Sequence, residues 1–261
     1  MKNLYEAYSR LYHDSNIPNG YRYKKAIHKF PELSHFTGMK GKEYSNQAIR
    51  FLLVGRAVNG WMSLETSTST SFADHACRLF ESDHFNWIVW DDTAKRLRND
   101  ISNPDEYYWL NKSPFWRISE QVWRAIPSVP TIENNAEGNW TDYIAWTNLY
   151  KIAPKKQDNP TSTMCNKQLE ACREILKAEI TLLKPTHILF LTGYYGWFED
   201  FKEIFDAEFS EIRENKYRNG EKNNHFVETY ATTEEGTKII VACRPDQRDE
   251  TAMLNDIRNY L

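Results

Sequence analysis

Two apolar runs constrain the fold of this chain more than anything else in it. IRFLLVG (residues 49 to 55) and THILFLTG (186 to 193) are almost unbroken in aliphatic and aromatic residues, and each stops at a glycine. A run this short without polar alternation reads as a strand buried on both faces, the setting of a parallel sheet covered by helices. A third run, YIAWTNLYKI (143 to 152), has the same character apart from Asn148. Asparagine is depleted in strands because its amide competes for backbone hydrogen bonds. At a strand end it either caps a loop through an Asx-turn or holds something.

The segments between these runs have helical grammar. After the third run comes the polar loop KKQDNPTSTM, then NKQLEACREILKAEITLLK, a helix that must stop before Pro185. YYGWFEDFKEIFDAEF (194 to 209) is expected to be a helix. HFVETYATTEEGTKIIVACRP (225 to 245) reads as two strands joined by a Glu-Gly turn, and DETAMLNDIRNYL closes the chain as a helix. Strands alternating with helices predict an α/β fold: a three-layer α/β/α sandwich with a mostly parallel central sheet and one antiparallel addition. At the start, Leu4, Tyr8, Leu11 and Tyr12 fit one face of a short helix, and residues 16 to 47 look irregular. Residues 72 to 130 are rich in tryptophan and include FNWIVW (85 to 90). Within them SPFWRISEQVWRAI predicts a helix with Ser113 as N-cap, Pro114 at the first position, and Trp116, Ile118, Val122 and Trp123 as a core stripe. The expectation is one domain over residues 1 to 261, with a tryptophan-rich insertion at about 72 to 130.

Composition narrows the partners. With 33 Lys and Arg against 36 Asp and Glu the net charge is -3, so no overall field draws this chain onto nucleic acid or an anionic membrane. Any phosphate contact must be local, and Arg96, Arg98, Lys216, Arg218 and Lys222 are the basic clusters that suggest one. No run reaches the roughly 18 apolar residues of a membrane span, and the N-terminus lacks a signal-peptide core, so a cytoplasmic location is expected. The 4 cysteines, Cys77, Cys165, Cys172 and Cys243, contain no C-x-x-C pair, and His75 with Cys77 lacks further partners at ligand spacing. Buried free thiols and no metal are expected.

In a doubly wound sheet ligands bind beyond the carboxyl ends of the strands. Four stretches occupy that place: GRAVNGW after the first run, TNLYK at the end of the second strand in the chain, TGYYGW after the third and CRPDQR after the last. Gly55 and Gly60 permit a tight turn or close backbone approach. They form neither G-x-G-x-x-G nor a P-loop, so no nucleotide cofactor is indicated. Trp61, Phe72 and Tyr194 could supply a stacking face, although with so many aromatics each fits the core as well.

Residues 143 to 193, from the strand with Thr-Asn-Leu-Tyr-Lys through the Ala-Cys-Arg helix to the strand ending Leu-Thr-Gly, resemble the uracil-DNA glycosylase-like superfamily. GRAVNG (55 to 60) falls where that family has its first motif and CRPD (243 to 246) where it has His-Pro-Ser. The resemblance implies an α/β/α fold, extrusion of a damaged base into a pocket, and hydrolysis of its glycosidic bond. It implies DNA or another nucleobase-containing ligand as partner and no cofactor. Asn148 matches the asparagine that reads the flipped pyrimidine with one amide donor and one acceptor. Gly55, Arg56, Asn59, Asn148, Arg244 and Pro245 are the substrate-binding candidates.

The catalytic motifs depart from the family. Ala57 stands where members that activate water place Asp or Asn, and Arg56 where others place Glu; neither residue takes a proton from water. Val58 replaces the motif proline. Arg244 replaces the histidine that would stabilise the leaving base, while Pro245 is retained. Arg56 and Arg244 are the catalytic candidates, through permanent charge. Cys172 matches one ligand of the branch that carries an iron-sulfur cluster, but Ile152 occupies another ligand position, so no cluster is expected. Two readings stay open: a divergent member that binds a nucleobase, nucleotide or nucleic acid and cleaves an N-glycosidic bond in damaged DNA, or an inactive member that binds a small anion or a protein.

Overall fold

The computed structural model describes residues 1–14, 33–57, 68–82, 112–130, 140–154, 159–213 and 225–261, with the backbone of 62–63, 88–89 and 108–109. Helix α1 (Lys2–Asp14) opens the chain, followed by β1 (Leu33–His35), β2 (Met39–Lys40), β3 (Phe51–Ala57) and β4 (Met62–Ser63). Then come α2 (Ser69–Glu81), β5 (Ile88–Val89), β6 (Tyr108–Trp109), α3 (Pro114–Ala125), β7 (Ile144–Tyr150) and β8 (Ile152–Pro154). The last third holds α4 (Ser162–Leu183), β9 (His187–Leu191), β10 (Val227–Thr232), β11 (Lys238–Ala242) and α5 (Glu250–Arg258).

The main sheet has the order β10-β11-β9-β3-β7-β2. Its four central strands run parallel, and β10 and β2 pair antiparallel at the two edges. Every residue of β7 and of β9 is buried, as expected of strands covered on both faces. One core packs Leu52, Val54, Leu149 and Phe190 against α1, α2 and α4. The other packs Phe51, Leu53, Ile144 and Leu189 against α3 and α5, with Trp116, Ile118, Val122 and Trp123 inside it as the stripe predicts. The result is the expected α/β/α sandwich. A second, smaller sheet, β4-β1-β8, is antiparallel, and β5 and β6 form a parallel pair. Among the described residues no helix is long and apolar enough to cross a membrane.

Chain connectivity fixes where a crevice opens. From β3 the chain moves to β7 on one side, then crosses to β9 on the other side of β3. Neighbouring connections therefore leave in opposite directions at β3 and β9, which makes their carboxyl ends the topological switch point.

Several boundaries differ from the sequence reading. β3 does not break at Gly55 but continues to Ala57, because Gly55 and Ala57 still pair with Asn148 and Tyr150. Residues 194 to 209 are not an α-helix: a turn with Gly193 and Gly196 at positive φ leads into a 3-10 segment, Phe198–Ile204. Its two buried rings, Phe198 and Phe201, are three residues apart, the repeat of a 3-10 turn. The run 143 to 152 divides at Lys151, and β8 joins the smaller sheet. The irregular region 16 to 47 includes β1, β2 and a short 3-10 turn at Tyr44–Asn46. α4 begins before the predicted Asn166 because Thr161 caps it, its hydroxyl accepting from the Met164 amide at 3.3 Å. Ser113 is the N-cap of α3 through its carbonyl, not its hydroxyl.

Candidate functional site at the strand ends

The end of β7 is held by a sealed polar cluster. Lys151 and Glu179 are both fully buried, with Nζ 2.9 Å from Oε2 and 3.1 Å from Oε1. A buried charge pair survives only when its remaining polar sites are filled, and here they are. Thr147 Oγ1 donates to Glu179 Oε2 at 2.7 Å, the Gly38 amide to Oε1 at 3.0 Å, and Tyr8 contacts both Oε1 and Thr37. Gln168 completes the exit from the sheet: its Oε1 accepts from the amides of Lys151 and Ile152, and its Nε2 donates to the Ile152 carbonyl. The lysine of the TNLYK stretch is thus a fold residue that anchors the strand end to α1 and α4.

Asn148 points the other way. It follows Ile144 and Trp146 onto the face covered by α3 and α5. It is 3% exposed, and among the described residues nothing hydrogen-bonds its amide. Its Oδ1 lies 2.3 Å from where a Cβ on Gly55 would stand, and the tip of the Phe115 ring 3.5 Å from the same point. Glycine at 55 is required by this close approach rather than by backbone conformation. An amide with no partner among the described residues, a bare backbone floor and an aromatic ring edge converge there.

Arg56, one residue on, follows Leu52 and Val54 onto the opposite face. Its Nε donates to the Thr192 carbonyl at 2.6 Å, bridging β3 to the turn after β9, and its guanidinium lies 4.7 Å above the Trp197 ring. It lines an open pocket of about 390 Å³ with Gly193, Tyr194, Tyr195, Glu228, Arg244 and Arg248 among its walls. Burial and the charge of Arg244 push Arg56 down to about 10, so it remains a cation at neutral pH. Glu228 accepts the Tyr194 amide at 2.5 Å, and burial pushes its carboxyl upward against the pull of that hydrogen bond and of Arg56. Arg244 pairs with Asp246 at the exposed rim.

Two of the predicted residues therefore share a pocket, Arg56 and Arg244, while Asn148 sits across β3 with Gly55. Pro245 is buried, and its carbonyl accepts from the Arg248 amide at 3.1 Å, so it shapes the turn that carries Arg244. Asn59, Gly60 and Trp61 lie outside the described residues, as do the basic clusters at 96 to 98 and 216 to 222. The FNWIVW stretch is described only at the backbone of 88–89. Phe72 is a core residue with no exposure, and Tyr194 is nearly buried at the pocket wall. Cys172 is buried, and burial pushes its thiol up to about 12. Sequence reasoning missed Glu228 and Glu179, and it reached Arg248 only as the last residue of the CRPDQR stretch. Glu228 alternates with inward-facing neighbours on an edge strand and carried no motif. Glu179 is one of three glutamates in α4, and nothing in the local pattern sets it apart from Glu170 and Glu174.

This is a parallel-sheet α/β/α protein whose polar groups gather at the carboxyl ends of β3, β7, β9 and β11. Residues 102–251, more than half of the chain, match the Uracil DNA glycosylase superfamily, and the chain belongs to that family. The match takes in Asn148 and Arg244 but starts downstream of Gly55 and Arg56. No curated protein matches the chain.

Proposed function

We propose that this chain recognises a nucleobase, in damaged DNA or in a nucleotide, through the amide of Asn148. The observation that carries the reading is an asparagine at a strand end, 3% exposed, with no partner among the described residues and with its oxygen held over Gly55. Buried amides are normally satisfied. One left open beside a bare backbone floor and the Phe115 ring suits the Watson–Crick edge of a flat base, which offers a donor and an acceptor side by side. Family membership supports the same substrate class.

Hydrolysis of the N-glycosidic bond is the reaction this recognition would serve, and the first motif offers it little. Arg56 faces away from Asn148, Ala57 has no polar side-chain atom, and of the carboxylates of the neighbouring pocket Glu228 accepts a backbone amide while Asp246 stands at the exposed rim beside Arg244. Binding without rapid turnover is the expected behaviour. Asn148→Ala and Asn148→Asp test it. Both should abolish binding of a duplex bearing a single uracil; Asn148→Ala should change stability by less than about 1 kcal/mol, since among the described residues no partner is left unsatisfied, whereas Asn148→Asp sets a carboxyl into a site only 3% exposed and should cost more. Single-turnover cleavage at enzyme excess measures what hydrolysis remains. A variant that melts far earlier and still binds the duplex would make Asn148 a fold residue and end this reading.

A further inference from the structure

The arginine pocket is not explained by base recognition. Arg56 comes from β3, and Arg244 and Arg248 come from the turn after β11, almost two hundred residues away, yet all three line one cavity at the switch point of the sheet. Against them stand two carboxylates, Glu228 and Asp246. Like charges are not brought together in a half-buried site without something to offset them.

Arg56 is mounted for use. The bond from Nε to the Thr192 carbonyl fixes the guanidinium from behind, and Trp197 supports its plane at 4.7 Å. Among the described residues nothing hydrogen-bonds its two terminal nitrogens. One of them, Nη2, lies 3.4 Å from where a Cβ on Gly193 would stand, an ordinary contact distance, and it is the φ of 76° at Gly193 that favours glycine in the turn beside it. Arg244 is nearly half exposed, and its pairing with the equally exposed Asp246 is a rim contact of the kind that contributes little. A stronger anion can take Arg244 from Asp246. Tyr195, 54% exposed, stands at the mouth with its ring edge-on to Tyr194 and offers a face for an organic group beside the anion.

We propose that this pocket binds a phosphate group, with Arg56 and Arg244 as its two principal ligands. Guanidinium groups match the tetrahedral oxygens of phosphate with paired N–H donors, and Arg56 and Arg244 present two of them, from β3 and from the turn after β11, to one cavity. The inference rests on the nucleotide reading only for what bears the phosphate; the bearer is either a free nucleotide or a nucleic-acid backbone. It also moves the two arginines from catalysis to binding.

Isothermal titration of the full chain with inorganic phosphate tests the subsite by itself. Binding is expected, weakened at least tenfold in Arg244→Ala and unchanged in Arg124→Ala, which removes one exposed positive charge from α3. Arg244→Ala should melt with the wild type, because its side chain is at the rim. Phosphate that fails to bind the wild type, or binds both variants alike, overturns the proposal. Deoxyuridine, which has no phosphate, tests base recognition separately, so the two readings fail independently. Deoxyuridine monophosphate that competes with inorganic phosphate assigns the site to a terminal phosphate. A duplex with 5′-hydroxyl ends that competes instead assigns it to the backbone.

Discussion

Two polar clusters of similar composition flank the end of β7 and β3, and they are built for opposite ends. In one, Lys151 and Glu179 are completely excluded from water and every remaining site on the carboxylate is filled by Thr147, Gly38 and Tyr8. In the other, Arg56, Arg244 and Glu228 surround a cavity of about 390 Å³ open to solvent. Both set a cation beside an acid. What separates them is satisfaction: a closed network specifies the fold, whereas donors left facing a cavity specify a ligand. The TNLYK stretch holds both characters three residues apart: Lys151 is tied into the sealed cluster, whereas Asn148, on the other face of the sheet, has no hydrogen-bond partner among the described residues.

The largest expected effect is in the sealed cluster. Glu179→Ala strands a buried ammonium and leaves the Gly38 amide without its acceptor, and should cost about 3 to 5 kcal/mol in urea unfolding. Asp246→Ala, which removes an acid from the exposed pair with Arg244, should change stability by less than about 0.5 kcal/mol. Equal losses in the two variants would erase the distinction between the clusters.

A smaller effect compares two glycines. A Cβ at Gly38 would lie 2.7 Å from Glu179 Oε1, and one at Gly55 would lie 2.3 Å from Asn148 Oδ1. Each glycine backs a polar side chain, but only the carboxylate is locked by partners. Gly38→Ala should therefore destabilise by about 1 to 3 kcal/mol, the range for forcing atoms into a packed interior. Gly55→Ala should push the Asn148 amide aside, with a smaller stability loss and at least tenfold weaker binding of a uracil-bearing duplex. Urea midpoints and duplex affinities on the pair decide it; a Gly55→Ala variant that keeps wild-type affinity removes the amide from the binding site.

The difference between the clusters also accounts for what the sequence made legible. The buried runs ending near Gly55, Asn148 and Gly193 carry the parallel sheet on their faces, because a strand covered on both sides has nowhere to hide a polar residue. That pattern also exposed Asn148 as the exception. Lys151 carried no such signal: a lysine after a strand reads as a solvated end, and only the distant Glu179, on α4, makes it internal. The arginine pocket depends on β3 meeting the turn after β11, a juxtaposition set by strand order and absent from local pattern. The segment 194 to 209 misled for a different reason. Its aromatic spacing fits either helical type, and the positive φ of Gly193 and Gly196 tips it into a turn followed by 3-10 structure.

The smallest test compares the two ends of the sheet through pH. At the amino end of β9, burial and then Lys238 push the His187 imidazole down to about 4. The unfolded chain binds that proton near the ordinary value of 6.5, so between about 6.5 and about 4 it is the unfolded state that holds more protons. Stability contributed by neutral His187 is complete above that window and is lost as pH falls through it. At the carboxyl end, burial pushes the Glu228 carboxyl above its ordinary value of 4.5. There the folded state holds the extra proton, so the contribution is complete below 4.5 and is lost as pH rises. The two groups therefore oppose each other in the mildly acid range. His187→Gln should flatten the fall in urea midpoint from pH 7 toward pH 4, and Glu228→Gln should steepen it. Glu228→Gln leaving the profile unchanged would mean that the arginines of the pocket cancel the burial of the carboxylate, and the open cluster would then be as well compensated as the sealed one.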